Sequence, residues 1–219
     1  MATLSASLPP FARSRRLRDA SAVKRAFDLL VAVTALISLA PLMVAAAIAV
    51  RLESPGPVLF RQQRVGKDGA LFQVLKFRTM RREASGQQTT PVPKVGDFSS
   101  YVFDPLYGGK QYTRIGRLLR TTSLDELPNL INVLRGEMSI VGPRPEVPEL
   151  VEQYLPEYRR RHAVRPGITG LAQVSGRGSL TYGETMLYDL EYVDNHSVVG
   201  DLMILAKTVP AVLTRKGAQ

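Results

Sequence analysis

The chain has 219 residues, 45% of them hydrophobic, and a formal net charge of +10; this length suits one domain with a core of its own. It has no cysteine and two histidines, His162 and His196, which excludes thiol catalysis, disulfides and thiolate metal sites and leaves oxygen ligands for any metal. The excess of Lys and Arg implies an anionic partner: nucleic acid, anionic lipid or a phosphorylated substrate.

Residues 1–22, "MATLSASLPPFARSRRLRDASA", read as a flexible basic arm. Residues 23–52 read as a membrane helix. From Leu29 to Val50, "LLVAVTALISLAPLMVAAAIAV" carries no charge and matches the roughly 20 apolar residues that cross a bilayer as a helix. The run is longer than the apolar core of a signal peptide, starts late and lacks a tidy cleavage pattern. Basic residues flank both ends, Lys24 and Arg25 before it and Arg51, Arg61 and Arg64 after it. The positive-inside rule asks for them on one side only. A helix that enters the membrane, breaks at Ala40-Pro41 and leaves by the same face reconciles the two ends; a spanning helix with a proline kink is the alternative. Asp28, at the lip of the run, has Lys24 and Arg25 within pairing distance along a helix.

Residues 53–219 read as one catalytic or binding body. "SPGPVLFRQQRVGKDGALFQVLKFRTM" predicts a β-hairpin with "GKDG" as its turn. In its second strand Val74, Lys76 and Arg78 share a face and Leu75 and Phe77 the other, which sets two cations side by side over an apolar backing; a solvated strand face is the plainer reading. Residues 83–112, rich in Gly, Pro, Ser and Thr, read as a long surface loop. "TRIGRLLR" starts a short helix. Leu127, Leu130, Ile131 and Leu134 recur at helical spacing, so "ELPNLINVLRG" predicts an amphipathic helix closed by Gly136. Its start is ambiguous, with Ser123 and Glu126 as a capping box or Pro128 in the first turn. "VGPRP" fixes an extended segment with Arg144 between two prolines. A helix over residues 147–162, an irregular "RPGITG" loop and an apolar, interfacial C-terminal helix in "DLMILAKTVPAVL" complete the chain.

The adjacent carboxylates Asp125 and Glu126 stand out in so basic a chain. Alone, such a pair at a helix start is an ordinary cap. Here Arg117 and Arg120 precede it and Arg144 follows on a rigid segment. Arginines keep carboxylates ionised and bind phosphate bidentately. Two carboxylates, arginines and a helix start can together hold Mg²⁺ and a phosphoryl group. With no thiol or nearby histidine, the available nucleophile is a carboxylate, and attack on phosphorus gives an aspartyl phosphate.

Six ordered blocks, among them "KRAFDLL", "SPGPVLFRQQRVGKDG", "TSLDELPNLINVLRGEMSIVGPRP" and "RRRHAVRPGITGLAQVSGR", make the chain resemble the bacterial sugar transferases that are monotopic phosphoglycosyl transferases. The resemblance runs from about Lys24 to Val209, outside the arm and the 83–112 loop. It implies an α+β, mainly helical fold: a re-entrant membrane helix broken at Pro41, a small hairpin, and amphipathic interfacial helices around a compact catalytic domain. It implies transfer of a sugar phosphate from a UDP-sugar to undecaprenyl phosphate with release of UMP, on the cytoplasmic face of the bacterial inner membrane and against its anionic lipid. By resemblance Asp125 is the nucleophile and Glu126 its partner at Mg²⁺, for which Mn²⁺ can substitute. Arg120 and Arg144 match arginines near the phosphates, and Lys76 and Arg78 are further candidates. The expected Ser-Pro at the break is Ala40-Pro41 here, which removes a hydroxyl from the bend. Nucleic acid is not expected as a partner, since the chain has no Trp and scattered Tyr and Phe. A homo-oligomer stays open. A membrane-associated nucleic-acid binder would account for the charge, and a membrane scaffold without activity would account for the apolar run but not for the Asp–Glu–Arg blocks.

Overall fold

The computed structural model describes residues 14–81, 112–176 and 180–213. Helix α1 runs from Ser14 to Glu53. It starts inside the expected arm, because "SRRLRDASA" is made largely of good helix formers that prolong the apolar run. Pro41 lies within it, and the expected break at Ala40-Pro41 is not an interruption. A proline deletes one ladder hydrogen bond and leaves the turns on either side intact. In the turn before it, Ser38 Oγ donates to the Thr34 carbonyl at 2.8 Å, a back-bond of the kind that bends helices.

The hairpin forms as expected. β1 (Leu59–Val65) pairs antiparallel with β2 (Leu71–Phe77), Leu59 opposite Phe77 and Val65 opposite Leu71. The turn puts Asp68 at φ 55° and Gly69 at φ 80°, the left-handed conformations that Asp and Gly accept most readily. Of the 83–112 segment only Tyr112 is among the described residues, where it bridges Met80; the rest of that expected loop lies outside them.

α2 (Arg114–Thr121) is capped by Thr113, whose side chain accepts from Gly116 N. The helix expected around Asp125 is divided. Leu124–Glu126 form a single 3-10 turn, and α3 (Asn129–Arg135) begins after Pro128. The capping box does not form: Ser123 sits at φ 57° and its side chain does not cap. Gly136, at φ 82°, ends α3 as expected.

β3 (Ser139–Val141) pairs in parallel with β4 (Gly167–Thr169), within the segment expected to be an irregular loop. The strands approach so closely that a Cβ on Gly142 or Gly167 would meet backbone of the other segment. The helix expected over 147–162 is also divided. α4 (Pro148–Val151) stops, and a 3-10 helix runs from Pro156 to Ala163, because Pro156 cannot continue an α-helical ladder. α5 (Leu171–Ser175) follows. α6 (Tyr182–Asn195) opens on a capping box of Thr181 and Glu184, and α7 (Val198–Leu213) closes the described chain.

α1 contributes to the core on both sides of Pro41. Ala32, fully buried, packs with Phe72 and Val74 of β2, Leu130 and Val133 of α3, Ile140 of β3 and Ile204 of α7. Further along, Ala46 and Val50 pack with Phe77 and Leu119. The opposite face is apolar and uncovered: Leu30 is 68% exposed, Ile37 72% and Leu52 81%. Val199, Leu202, Met203 and Val209 of α7 are exposed as well. So much uncovered apolar surface marks a membrane-contacting face, and α1 is long and apolar enough to cross one.

Candidate active site

The site grows from the junction of β2 with α3. Asn129 and Asn132, buried on α3, both turn their side-chain oxygens to the Leu75 amide at 3.2 Å. Asn132 Nδ2 donates back to the Gln73 carbonyl at 2.7 Å. These bonds satisfy main-chain groups of β2 on the side away from β1 and set Lys76 over the 3-10 turn. There Lys76 Nζ meets Glu126 Oε1 at 2.7 Å, and Arg144 Nη2 meets the same oxygen at 3.0 Å. Asp125 is buried, and its ion pair is a looser one, Arg120 Nη1 to Oδ2 at 3.6 Å. A small cleft beside the cluster is lined by Arg64, Val74, Lys76, Glu126, Arg144 and Pro145.

The two carboxylates differ in character. Burial, and then the charge of Glu126, push the Asp125 carboxyl above its ordinary value. Burial acts on Glu126 too, but Arg144 and Lys76 outweigh it and hold that carboxyl well below the usual range. Glu126 raises the Arg144 guanidinium in return, and burial lowers the Lys76 ammonium. Glu126 is therefore a charge already matched by two cations, whereas Asp125 is a desolvated and more basic carboxylate.

The structure brings together Asp125, Glu126, Lys76, Arg120 and Arg144. Arg78 is elsewhere. It stands beyond the last residue of β2, buried, and its guanidinium donates to Ser54 O at 2.7 Å, Ser54 Oγ at 2.9 Å and Pro55 O at 3.0 Å. It closes the chain where α1 ends. Arg64 was not expected at the site; its alternation with Gln62 on β1 was the available signal. Asn129 and Asn132 are polar residues at i and i+3 on an otherwise apolar face, and that polarity is their only signal in the sequence.

Among the described residues no group of three or more His, Asp or Glu is placed to hold a metal. Asp125 and Glu126 supply oxygen donors alone. That fits Mg²⁺, which is held by one or two carboxylates and completes its shell with phosphate oxygens and water.

An uncovered apolar face, a carboxylate pair and three converging cations together describe a membrane-associated protein with a charged site. The chain belongs to the bacterial sugar transferase family, whose model matches residues 19–215. It is 43% identical over 203 residues to a UDP-glucose:undecaprenyl-phosphate glucose-1-phosphate transferase of Caulobacter vibrioides, covering 89% of this chain and 71% of that protein. It is 42% identical over 204 residues to the exopolysaccharide production protein PSS of Rhizobium leguminosarum bv. phaseoli, covering 88% and 96%. A UDP-N-acetylgalactosamine-undecaprenyl-phosphate N-acetylgalactosaminephosphotransferase of Aeromonas hydrophila is 40% identical over 203 residues, with 90% of this chain and 45% of that protein covered. The chain thus spans nearly all of one relative and less than half of another.

Proposed function

We propose that this chain is a phosphoglycosyl transferase that moves a sugar 1-phosphate from a UDP-sugar to undecaprenyl phosphate. The observation that carries the mechanism is the division of labour between the carboxylates. Asp125, buried and loosely paired, has the more basic oxygen. It attacks the sugar-bearing phosphorus; the bond from that phosphorus to the bridging oxygen breaks and UMP leaves. An oxygen of undecaprenyl phosphate then attacks the same phosphorus, the aspartyl bond breaks, and the product is a polyprenyl diphosphate sugar. Lys76, Arg120 and Arg144 bind and orient the phosphates, and Glu126 with Asp125 would hold Mg²⁺. When bound, that ion offsets the charge on the phosphoryl oxygens. Intact-protein mass spectrometry after exposure to a UDP-sugar tests this through the mass of a phosphosugar on Asp125.

We further propose that α1 is re-entrant and that the body lies on the cytoplasmic face, where UDP-sugars are. Support comes from the fastening of α1 to one body on both sides of Pro41, together with its uncovered apolar face. Exopolysaccharide is the destination that the name of the Rhizobium leguminosarum relative suggests.

A further inference from the structure

The segment that carries Arg144 has prolines at 143 and 145, so neither neighbour of Arg144 has an N–H to anchor it. The segment is held by its carbonyls instead, each taken by a different donor. Gly167 N donates to Pro143 O at 2.9 Å, and Val65 N to Glu146 O at 2.9 Å. Between them, Arg64 Nη1 donates to Pro145 O at 3.2 Å and Arg161 Nη2 to Arg144 O at 2.8 Å. Arg161 is 2% exposed. Its guanidinium also reaches Asp189 Oδ2 at 2.5 Å and the Tyr154 hydroxyl at 2.6 Å, and that hydroxyl is 2.7 Å from the hydroxyl of Tyr182. A buried arginine is expensive to desolvate, and an apolar replacement would often pack as well. Here the fork is used to fix one main-chain carbonyl against α6.

We infer that Arg161 is a positioning residue for binding of the nucleotide diphosphate. It fixes the main chain of Arg144, and so the point that the Arg144 guanidinium reaches at Glu126. It does not touch the site itself. The inference rests on the reading of Arg144 as a phosphate ligand. Lysine keeps the charge that Asp189 needs but not the fork that reaches Asp189, Tyr154 and the carbonyl together.

The test is a double-mutant cycle on the full chain in nanodiscs, read as the Kd of UDP with Mg²⁺ by calorimetry, which does not depend on the identity of the sugar. Arg161→Lys should weaken UDP binding roughly tenfold in the wild-type background and less than about twofold in Arg144→Ala, as expected of residues coupled through one network. Tyr154→Phe removes one partner of Arg161 and should show the same pattern at roughly threefold; it decides the matter if Arg161→Lys does not fold. Equal weakening in both backgrounds, or none in wild type, overturns the inference and leaves the Arg144 reading standing. Full UDP affinity in Arg144→Ala alone overturns that reading and the inference with it.

Discussion

Lys24 and Glu53, near opposite ends of the apolar stretch of α1, are both bonded into the same folded body. Lys24 Nζ pairs with Asp28 at 2.7 Å and with Asp201 of α7 at 2.8 Å, and both acids are buried. Glu53 accepts from the Arg114 and Ile115 amides, at 2.6 Å and 3.0 Å, at the start of α2. A helix crossing the bilayer would have to carry one of these ends to the far side. Cysteines placed singly at positions 18 and 61 should therefore both resist an impermeant maleimide in intact cells and both react in inverted vesicles. Opposite labelling of the two sites would mean that the helix spans.

Asp125→Asn should remove the phosphosugar adduct and lower turnover by at least about a thousandfold, as loss of a nucleophile does. Arg120→Ala removes the cation nearest Asp125 and so takes away a charge that favours the ionised form. The acid limb of kcat/KM should move to higher pH. Turnover at the wild-type rate in Asp125→Asn ends the nucleophile assignment.

Activity should vanish in excess EDTA and return with Mg²⁺ or Mn²⁺. Glu126→Gln should lose most activity and also lower the thermal midpoint, because Lys76 and Arg144 keep an oxygen acceptor but lose the charge that matches them. Undiminished activity in EDTA would exclude an essential metal.

His162 stacks on Tyr154, with ring centroids 6.0 Å apart. Burial, and then Arg161 and Arg159, lower its pKa from 6.5 to about 4. Between those values the unfolded chain binds a proton that the folded chain refuses, so stability falls as pH falls through that window. His162→Phe keeps the stack without the titration. Its thermal midpoint should rise relative to wild type as pH is lowered from about 7 to about 4.5. A difference that stays constant across that range counts against the effect.

Asn132 is fully buried and bonded to Gln73 O, Leu75 N and Glu137. Asn132→Leu strands the Gln73 carbonyl, while Leu75 N keeps the Asn129 side chain, and should lower stability by roughly 1–3 kcal/mol. A denaturant midpoint equal to that of wild type would show that the site tolerates the loss.

The charged residues of the site were legible by type, since two adjacent acids and several cations stand out in a chain without cysteine, and the structure gathers most of them at one place. The geometry of the site was legible only within elements. Strand alternation placed Lys76 correctly, since it lies inside β2, and misplaced Arg78, which stands past Phe77 where the period of two no longer applies. The pairing of β3 with β4 joins two three-residue strands far apart in the sequence, too short for any periodicity to announce. Pro156 was in plain view and should have split the helix expected over 147–162. Arg161 is one of three successive arginines, and nothing in its neighbours distinguishes it from Arg159 and Arg160, which are exposed.

The tight crossing of Gly142 and Gly167 matters to anyone recombining this chain with a relative of different donor preference. Segments 139–146 and 165–170 behave as one cassette. A hybrid that takes both from the same parent keeps two backbones shaped against each other. A junction that separates them places Arg144 on a scaffold borrowed from another lineage, and such chimeras should fail at the graft whichever sugar they were designed to accept.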